Sequence, residues 1–421
     1  MPYVFISVLL VLAAWLYDFH QVKTGKSLML VLVFAVLWLL VGLRYRMGGD
    51  GVFYQDTFYE TPSILSVLLG RESSRFQPLW ILAINVCRNY YVFQLLHSLI
   101  VTLCFFRFFR KHTGMVFLPM AILFFSGLFL YFTIEVQREI LAVCILMLNV
   151  DNLMKNRMVS YYVWAVVAMM FHVSAIVMFL LPFFRQVRFD GRYVMMVLAV
   201  MAVFAVVKPF LFQGIAMLMP IPAIKERILV YAPLQFGLAH SLFFFVVRVG
   251  FMIPLLFAIP SEYNWMKSSV LLIAAFSIPI PVFERFLNYF YPFLTAGLSL
   301  LLCSKERCLH MNRLISVGMA ALMLFCIIDR KLLFTHSPDG ARYSSLFFPY
   351  VSVIHPYEVQ ERYDFYEGVM SEQDQMLYGK KSEKETEKKP EKETEKKSER
   401  ESEKGSKKKT EKKHENQQST S

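Results

Sequence analysis

The sequence predicts an all-α protein, a polytopic bundle of transmembrane helices, and three observations carry that expectation. Of its 421 residues, 56% are hydrophobic and 18% charged; soluble domains hold about 45–50% and about 25%. The apolar residues, 40 Phe among them, fall in runs separated by short basic clusters. The runs approach the roughly 20 apolar residues that a membrane-spanning helix needs. The clearest are residues 29–43, 95–106, 115–132, 161–184, 194–207, 238–259 and 270–282. Several are shorter than a full span and must kink or extend into polar flanks, and with weaker runs they imply about ten to twelve spans.

The first run, MPYVFISVLLVLAAWLYDF, lacks the basic start and small-residue cleavage site of a signal peptide and reads as a retained span. Its basic residues, Lys23 and Lys26, come after the apolar stretch, which sets the N-terminus outside the cytoplasm. The run ending at Leu43 then leads outward, and the polar stretch from Arg44 to Arg75 is external. Residues 78–106 return to the cluster Arg107, Arg110 and Lys111. Residues 115–132 go out, and 134–150 come back to Lys155 and Arg157.

Residues 161–184 either cross once or break at Phe171-His172 and return as a re-entrant hairpin. The hairpin is favoured, because it keeps Arg185, Arg188, Arg192, Lys267, Lys305, Arg307 and Arg313 inside. Irregular backbone at that depth must line a cavity or be buried in protein. These spans form a membrane domain over residues 1–358, followed by a juxtamembrane segment at 359–379. Residues 380–421 are a low-complexity Lys/Glu tail that repeats EKETEKK and has nothing with which to build a core.

Charge and cysteine usage exclude several classes. The formal charge is +12; the tail contributes 15 basic against 11 acidic residues, leaving +8 for the body. That surplus suits loops facing anionic lipid, and nucleic acid is not an expected partner. The six cysteines (Cys87, Cys104, Cys144, Cys303, Cys308, Cys326) show no zinc-ligand spacing. There is no Walker loop, no G-x-G-x-x-G and no Asp-x-Asp pair, so neither a cofactor nor a metal is expected.

Charge inside or beside apolar runs marks the candidate site. Arg44 and Arg46 flank the turn Gly48-Gly49-Asp50-Gly51 ahead of Tyr54; such donors and backbone amides suit a phosphate, or serve as interfacial anchors. Glu135, Arg138 and Glu139 would share one helix face at spacings of three and four, as a cavity lining or as a structural ion pair. His172, beside Ser174, interrupts an apolar run. Arg248 lies in LFFFVVRVGFMIPLLF, where an arginine needs a partner or an aqueous pocket. Arg285 and Tyr289 are four residues apart, after Pro279 and Pro281. Arginines and carboxylates gathered on one external side point to an anionic, lipid-linked donor that carries its own activation energy.

Five segments in order, GLRYRMGGDGVFY at 42–54, VQREILA at 136–142, FHVSA at 171–175, ERFLNYF at 284–290 and FFPY at 347–350, resemble the EpsG family of membrane proteins, functional relatives of the Wzy-type polymerases. Two features depart from the family pattern: Glu139, where glutamine is expected after the arginine, and the long tail. The resemblance implies polymerisation of oligosaccharide repeat units, carried on undecaprenyl pyrophosphate, into capsular or exopolysaccharide at the outer face of the bacterial inner membrane. On that reading the enzyme is a metal-independent glycosyltransferase. Arg44, Arg46, Asp50, Arg138, Arg248, Arg285 and Tyr289 bind substrate, and Glu135 or His172 is the base. Membrane lipid is a partner, and a chain-length regulator or a flippase is a candidate one. The alternatives are a flippase for lipid-linked sugars and a membrane acyltransferase acting on surface glycans.

Overall fold

The computed structural model describes residues 2–74, 76–218, 249–250, 252–278, 280, 283–303 and 340–374. Among these the fold is all-α, as the sequence predicts: there is no strand, only two isolated β-bridges. The helices in order are α1 (Pro2–Ala13), α2 (Lys26–Gly42), α3 (Gly49–Asp56), α4 (Ile64–Leu68), α5 (Pro78–Cys87), α6 (Tyr90–Thr113), α7 (Phe117–Phe125) and α8 (Leu128–Leu130). They continue as α9 (Gln137–Met154), α10 (Met158–Met169), α11 (Val177–Phe184), α12 (Gly191–Leu218), α13 (Met252–Ala258), α14 (Asn264–Phe276), α15 (Glu284–Leu287), α16 (Tyr291–Cys303) and α17 (Gln360–Asp374).

Two described helices, Pro2–Phe19 and Tyr90–Thr113, are long and apolar enough to cross a membrane. A third span results if Phe117–Phe125 and Leu128–Glu135 are taken together, and six shorter apolar helices accompany them. Large apolar side chains stay bare along these helices: Val4 is 64% exposed, Phe5 61%, Val159 83% and Phe210 74%. Apolar surface of this extent is what lipid covers.

The chain folds as two compact units, Met1–Leu333 with Phe347–Glu358, and Phe334–Leu346 with Val359–Ser421. In the second, Arg362 Nε donates to the Ser345 carbonyl (3.1 Å), and the Tyr343 ring meets Phe365 edge-on. The low-complexity tail lies outside the described residues.

In the first unit α6 is the central support. Asn89 caps it by accepting from the amides of Tyr91 and Val92, and Arg110, Lys111 and His112 fill its last turn before Gly114. Cations there complement the carbonyl end of the helix. α2 packs so closely on α6 that a Cβ on Gly42 would sit 2.8 Å from Leu95 Cδ2 and Ser98 Oγ. Gln94 of α6 then donates to the carbonyls of Gly42 and Arg44, both at 2.9 Å. Thus a polar residue inside an apolar run closes the open end of the neighbouring helix.

The segment 115–132 is broken, against the expectation of one continuous run. α7 and the helix after it meet at 86°, with Gly127 at φ +75° between them. The left-handed conformation suits glycine because it has no Cβ. The second break falls where the sequence places it. α10 ends at Met169, and the Tyr161 hydroxyl donates to the Met178 carbonyl (2.8 Å) while Tyr162 stacks on Phe179. Those contacts require the chain to reverse at Phe171-His172 and run back along α10.

Candidate functional site

The external stretch is more ordered than a glycine-rich turn suggests. Tyr54, Phe58, Phe76, Trp80, Tyr90 and Phe93 form a buried aromatic core that seats α3 and α5 against the N-terminal end of α6. The late FFPY segment is a strap over the same region. Tyr45 N donates to the Val351 carbonyl (2.9 Å), Val353 N to that of Leu43 (2.8 Å), and the Tyr350 hydroxyl to that of Leu40 (2.9 Å). The first and last motifs are therefore held together by backbone pairing.

Two amides of this turn, those of Gly49 and Asp50, are already taken. The Glu135 carboxylate accepts from Gly49 N (2.7 Å) and Asp50 N (3.1 Å), capping α3 from another part of the chain. An internal carboxylate thus fills the place that the sequence reading offered to a phosphate. Gly48 permits it: its φ is +80°, and a Cβ there would lie 2.4 Å from Glu135 Oε1 and 2.4 Å from Ile134 Cγ2. Gly48→Ala is therefore expected to cost at least about 2 kcal/mol. Thermal unfolding of the detergent-purified protein tests this against Gly114→Ala, where φ is +71° and nothing lies within 4 Å. Equal shifts for the two variants would refute the cap.

The shared helix face expected for Glu135, Arg138 and Glu139 does not form. Glu135 closes a π-helical turn, Val136 is non-helical (φ −102°, ψ 48°), and α9 begins only at Gln137. Arg138 and Glu139 therefore leave the first turn of α9 in their own directions. Arg138, half-buried, donates from Nε to the Tyr54 hydroxyl (3.1 Å) and from Nη1 to Gln77 Oε1 (3.0 Å). Its guanidinium lies over the Phe76 ring at 5.0 Å and the Tyr54 ring at 5.6 Å. Burial pushes the Tyr54 hydroxyl up to about 12, while the Arg138 charge pulls it down, so this partner is neutral at physiological pH. Arg138 is thus aimed by two neutral groups and a ring.

Glu139, 3% exposed, turns to the break at His172. Ser174 Oγ stands 3.1 Å from Glu139 Oε1, 2.5 Å from His172 Nδ1 and 3.0 Å from the Tyr289 hydroxyl. His172 is the residue before a short 3-10 turn and accepts from Ser174 N (3.3 Å). Asn288, 4% exposed, sits beside the Glu139 carboxylate. Arg138 and Arg285 both lie within electrostatic reach of Glu139 and His172, and Arg285 is exposed.

The structure thus joins Arg138, His172, Arg285 and Tyr289. It sets Glu135 apart as a cap. Arg44 is 1% exposed and donates to the Val41 carbonyl (2.6 Å), which makes it a buried helix-end residue. Arg46 pairs with Asp56 (2.9 Å), and Asp50 is exposed at the start of α3. Arg248, Pro279 and Pro281 lie outside the described residues.

Sequence reasoning missed Glu139 as a network member, together with Gln77, Asn288 and the supports Gln94 and His97. Gln94 and His97 carried a signal, being polar at a spacing of three inside an apolar run; His97 Nε2 meets the Gln137 carbonyl at 2.8 Å and so steadies the start of α9. Gln77 carried none.

Apolar helices with bare outer faces, and charge gathered among them, make this a membrane protein. The chain belongs to the EpsG family, whose model matches residues 27–352. No curated protein and no solved structure matches it.

Proposed function

We propose that this chain is a metal-independent polysaccharide polymerase of the bacterial inner membrane, joining undecaprenyl-pyrophosphate-linked oligosaccharide repeat units into capsular or exopolysaccharide. The supporting observation is the pairing of two arginines with a carboxylate–hydroxyl–imidazole chain at a helix break. EpsG family membership is consistent with it. In the reaction an acceptor hydroxyl oxygen attacks the anomeric carbon of the donor sugar, and the bond from that carbon to the pyrophosphate oxygen breaks. The lipid pyrophosphate leaves with the electron pair, and the hydroxyl proton goes to a base. Arg138 and Arg285 bind and stabilise the pyrophosphate, and Arg46 is a further candidate donor to it. His172 takes the proton, because Glu135 is spent on two amides.

The side of the membrane follows from charge. The site lies at the Tyr90 end of α6 and the Gln137 end of α9. The opposite ends carry Arg110, Lys111, Lys155 and Arg157, and Lys111 pairs with Asp151 there. Basic ends that face the cytoplasm support a site that opens outward, where flipped donors arrive.

The second reading is a flippase, and one observation favours it: two broken apolar helices, at Gly127 and at His172, as transporters often have. Purified protein in vesicles with lipid-linked repeat units separates the two. A ladder of longer glycans is expected; relocation of the units without elongation would overturn the polymerase reading.

A further inference from the structure

Ser174 has a peculiar place in the group at the break. Its hydroxyl meets three partners, His172 Nδ1 at 2.5 Å, Glu139 Oε1 at 3.1 Å and the Tyr289 hydroxyl at 3.0 Å. A serine hydroxyl has one proton to give and two lone pairs to receive with. Three contacts therefore saturate it, and with Tyr289 as a donor two arrangements satisfy all of them; a third, in which Ser174 donates to Tyr289, needs a proton on both Glu139 and His172 Nδ1. The first two are the ones that a proton can connect.

In the first arrangement Ser174 donates to a Glu139 carboxylate and accepts from a protonated His172 Nδ1, which gives up the longer contact from Ser174 N (3.3 Å). The neutral ring then has a bare Nε2. In the second, a protonated Glu139 donates to Ser174, and Ser174 donates to a bare His172 Nδ1; the ring carries its proton on Nε2. Nε2 makes no hydrogen bond among the described residues and His172 is 7% exposed, so Nε2 is the ring nitrogen left for a hydroxyl. The two arrangements differ by one proton added at Nε2 and one proton moved at each of two hydrogen bonds.

We propose that Ser174 is the one-proton junction of a relay that carries the acceptor-hydroxyl proton from His172 to Glu139. The proposal rests on the polymerase reading above. As the acceptor oxygen bonds to the anomeric carbon, its proton passes to His172 Nε2. The Nδ1 proton moves to Ser174 Oγ, and the Ser174 proton moves to Glu139. The ring ends neutral and the charge ends neutralised on the carboxyl, with no imidazolium left facing Arg138 and Arg285. Every proton is accounted for, and no other reactant is required. Release of the Glu139 proton by the reverse path resets the site after product leaves.

Each member has a stated place. His172 touches the reacting hydroxyl and is the catalytic residue. Ser174, Glu139 and Tyr289 act through it: Tyr289 fills the second lone pair of Ser174, which keeps the hydroxyl proton directed along the relay. Burial serves the same end, since Glu139, Ser174 and Tyr289 are 3%, 6% and 0% exposed and water has little room to bridge around Ser174. The short 3-10 turn Val173–Ile176 fixes the Ser174 backbone beneath the ring.

The test is steady-state kinetics of glycan elongation by purified full-length protein in vesicles, with lipid-linked repeat units. Ser174→Ala cuts the junction and is expected to lower kcat by at least about 100-fold, the usual weight of general-base catalysis, with KM within a few-fold of wild type. Ser174→Thr retains an Oγ and is expected to recover at least a tenth of the wild-type kcat. Glu139→Gln still offers an oxygen to the Ser174 proton but cannot take that proton up. It is expected to fall at least tenfold in kcat. Wild-type kcat for Ser174→Ala would overturn the junction, and wild-type kcat for Glu139→Gln would overturn the terminus. If Ser174→Thr is as poor as Ser174→Ala while both bind donor normally, the hydroxyl is not the feature that matters, and the relay is refuted. A wild-type protein that elongates nothing refutes the polymerase reading itself, which is a separate result.

Discussion

Arg138→Lys should lose at least about 100-fold in kcat/KM for elongation while the protein inserts and accumulates as wild type. The size follows from what a preorganised charged donor contributes to a developing anion. Arg138 is held from one side, by Nε to the Tyr54 hydroxyl and Nη1 to Gln77 Oε1, with its plane against the Phe76 ring. Nη2 has no hydrogen-bond partner among the described residues, so the remaining N–H groups form an open fork. A fork of that kind grips two oxygens of a pyrophosphate at once. Lysine keeps the charge but brings a single ammonium that cannot hold Tyr54 and Gln77 and still present a planar pair of donors. Charge retention is also why abundance should hold, since Glu139 keeps a nearby cation. The assay is elongation at matched protein level, with donor binding measured on the same vesicles. Wild-type elongation by the lysine variant would make Arg138 a structural residue of the Tyr54–Phe76 core.

The convergence of motifs was legible because each interrupts an apolar run with groups that membrane helices otherwise exclude. The arginines, His172 and the Glu-Arg pair at 284–285 stand out for that reason alone. The break at Phe171-His172 was legible from charge, since only a returning chain keeps the later basic residues on one side. The role of Glu135 was not. YFTIEVQRE contains no glycine or proline, so helical spacing ran straight through Val136 and aligned Glu135 with Arg138. What displaces it is tertiary: the amides of Gly49 and Asp50, 86 and 85 residues away, offer two donors, and the chain unwinds at Val136 to meet them. Gln77 is hidden for a similar reason, because no periodicity ties it to a residue 61 positions later. Asp18, which accepts from Leu118 N at 2.7 Å across 100 residues, is a third case. Local pattern shows that a charge must be accommodated; only the packed chain shows by what.

The same distinction decides how His172 is best tested, because it has a structural and a chemical task. Structurally, its Nδ1 accepts from Ser174 N at the start of the 3-10 turn in the arrangement that leaves that nitrogen bare. A side-chain cap of this type contributes about 1 kcal/mol. Chemically, its Nε2 is the proposed proton acceptor. His172→Ala removes both tasks, and a loss of activity in that variant could come from a loosened hairpin. Asparagine separates them: its side-chain oxygen reaches the same amide, as cap-forming residues do, but it has no basic nitrogen. His172→Asn should therefore keep wild-type abundance and thermal stability within a few degrees, and bind lipid-linked donor normally. Elongation should fall by about 100-fold to 10,000-fold, the range general-base catalysis supplies. Ser174→Ala added to His172→Asn should then lower elongation little further, because a relay without its base has nothing to conduct. Full additivity of the two losses, measured as rates on the same vesicles, would show that Ser174 and His172 act separately. Wild-type elongation by His172→Asn alone would move the base to another residue of the site.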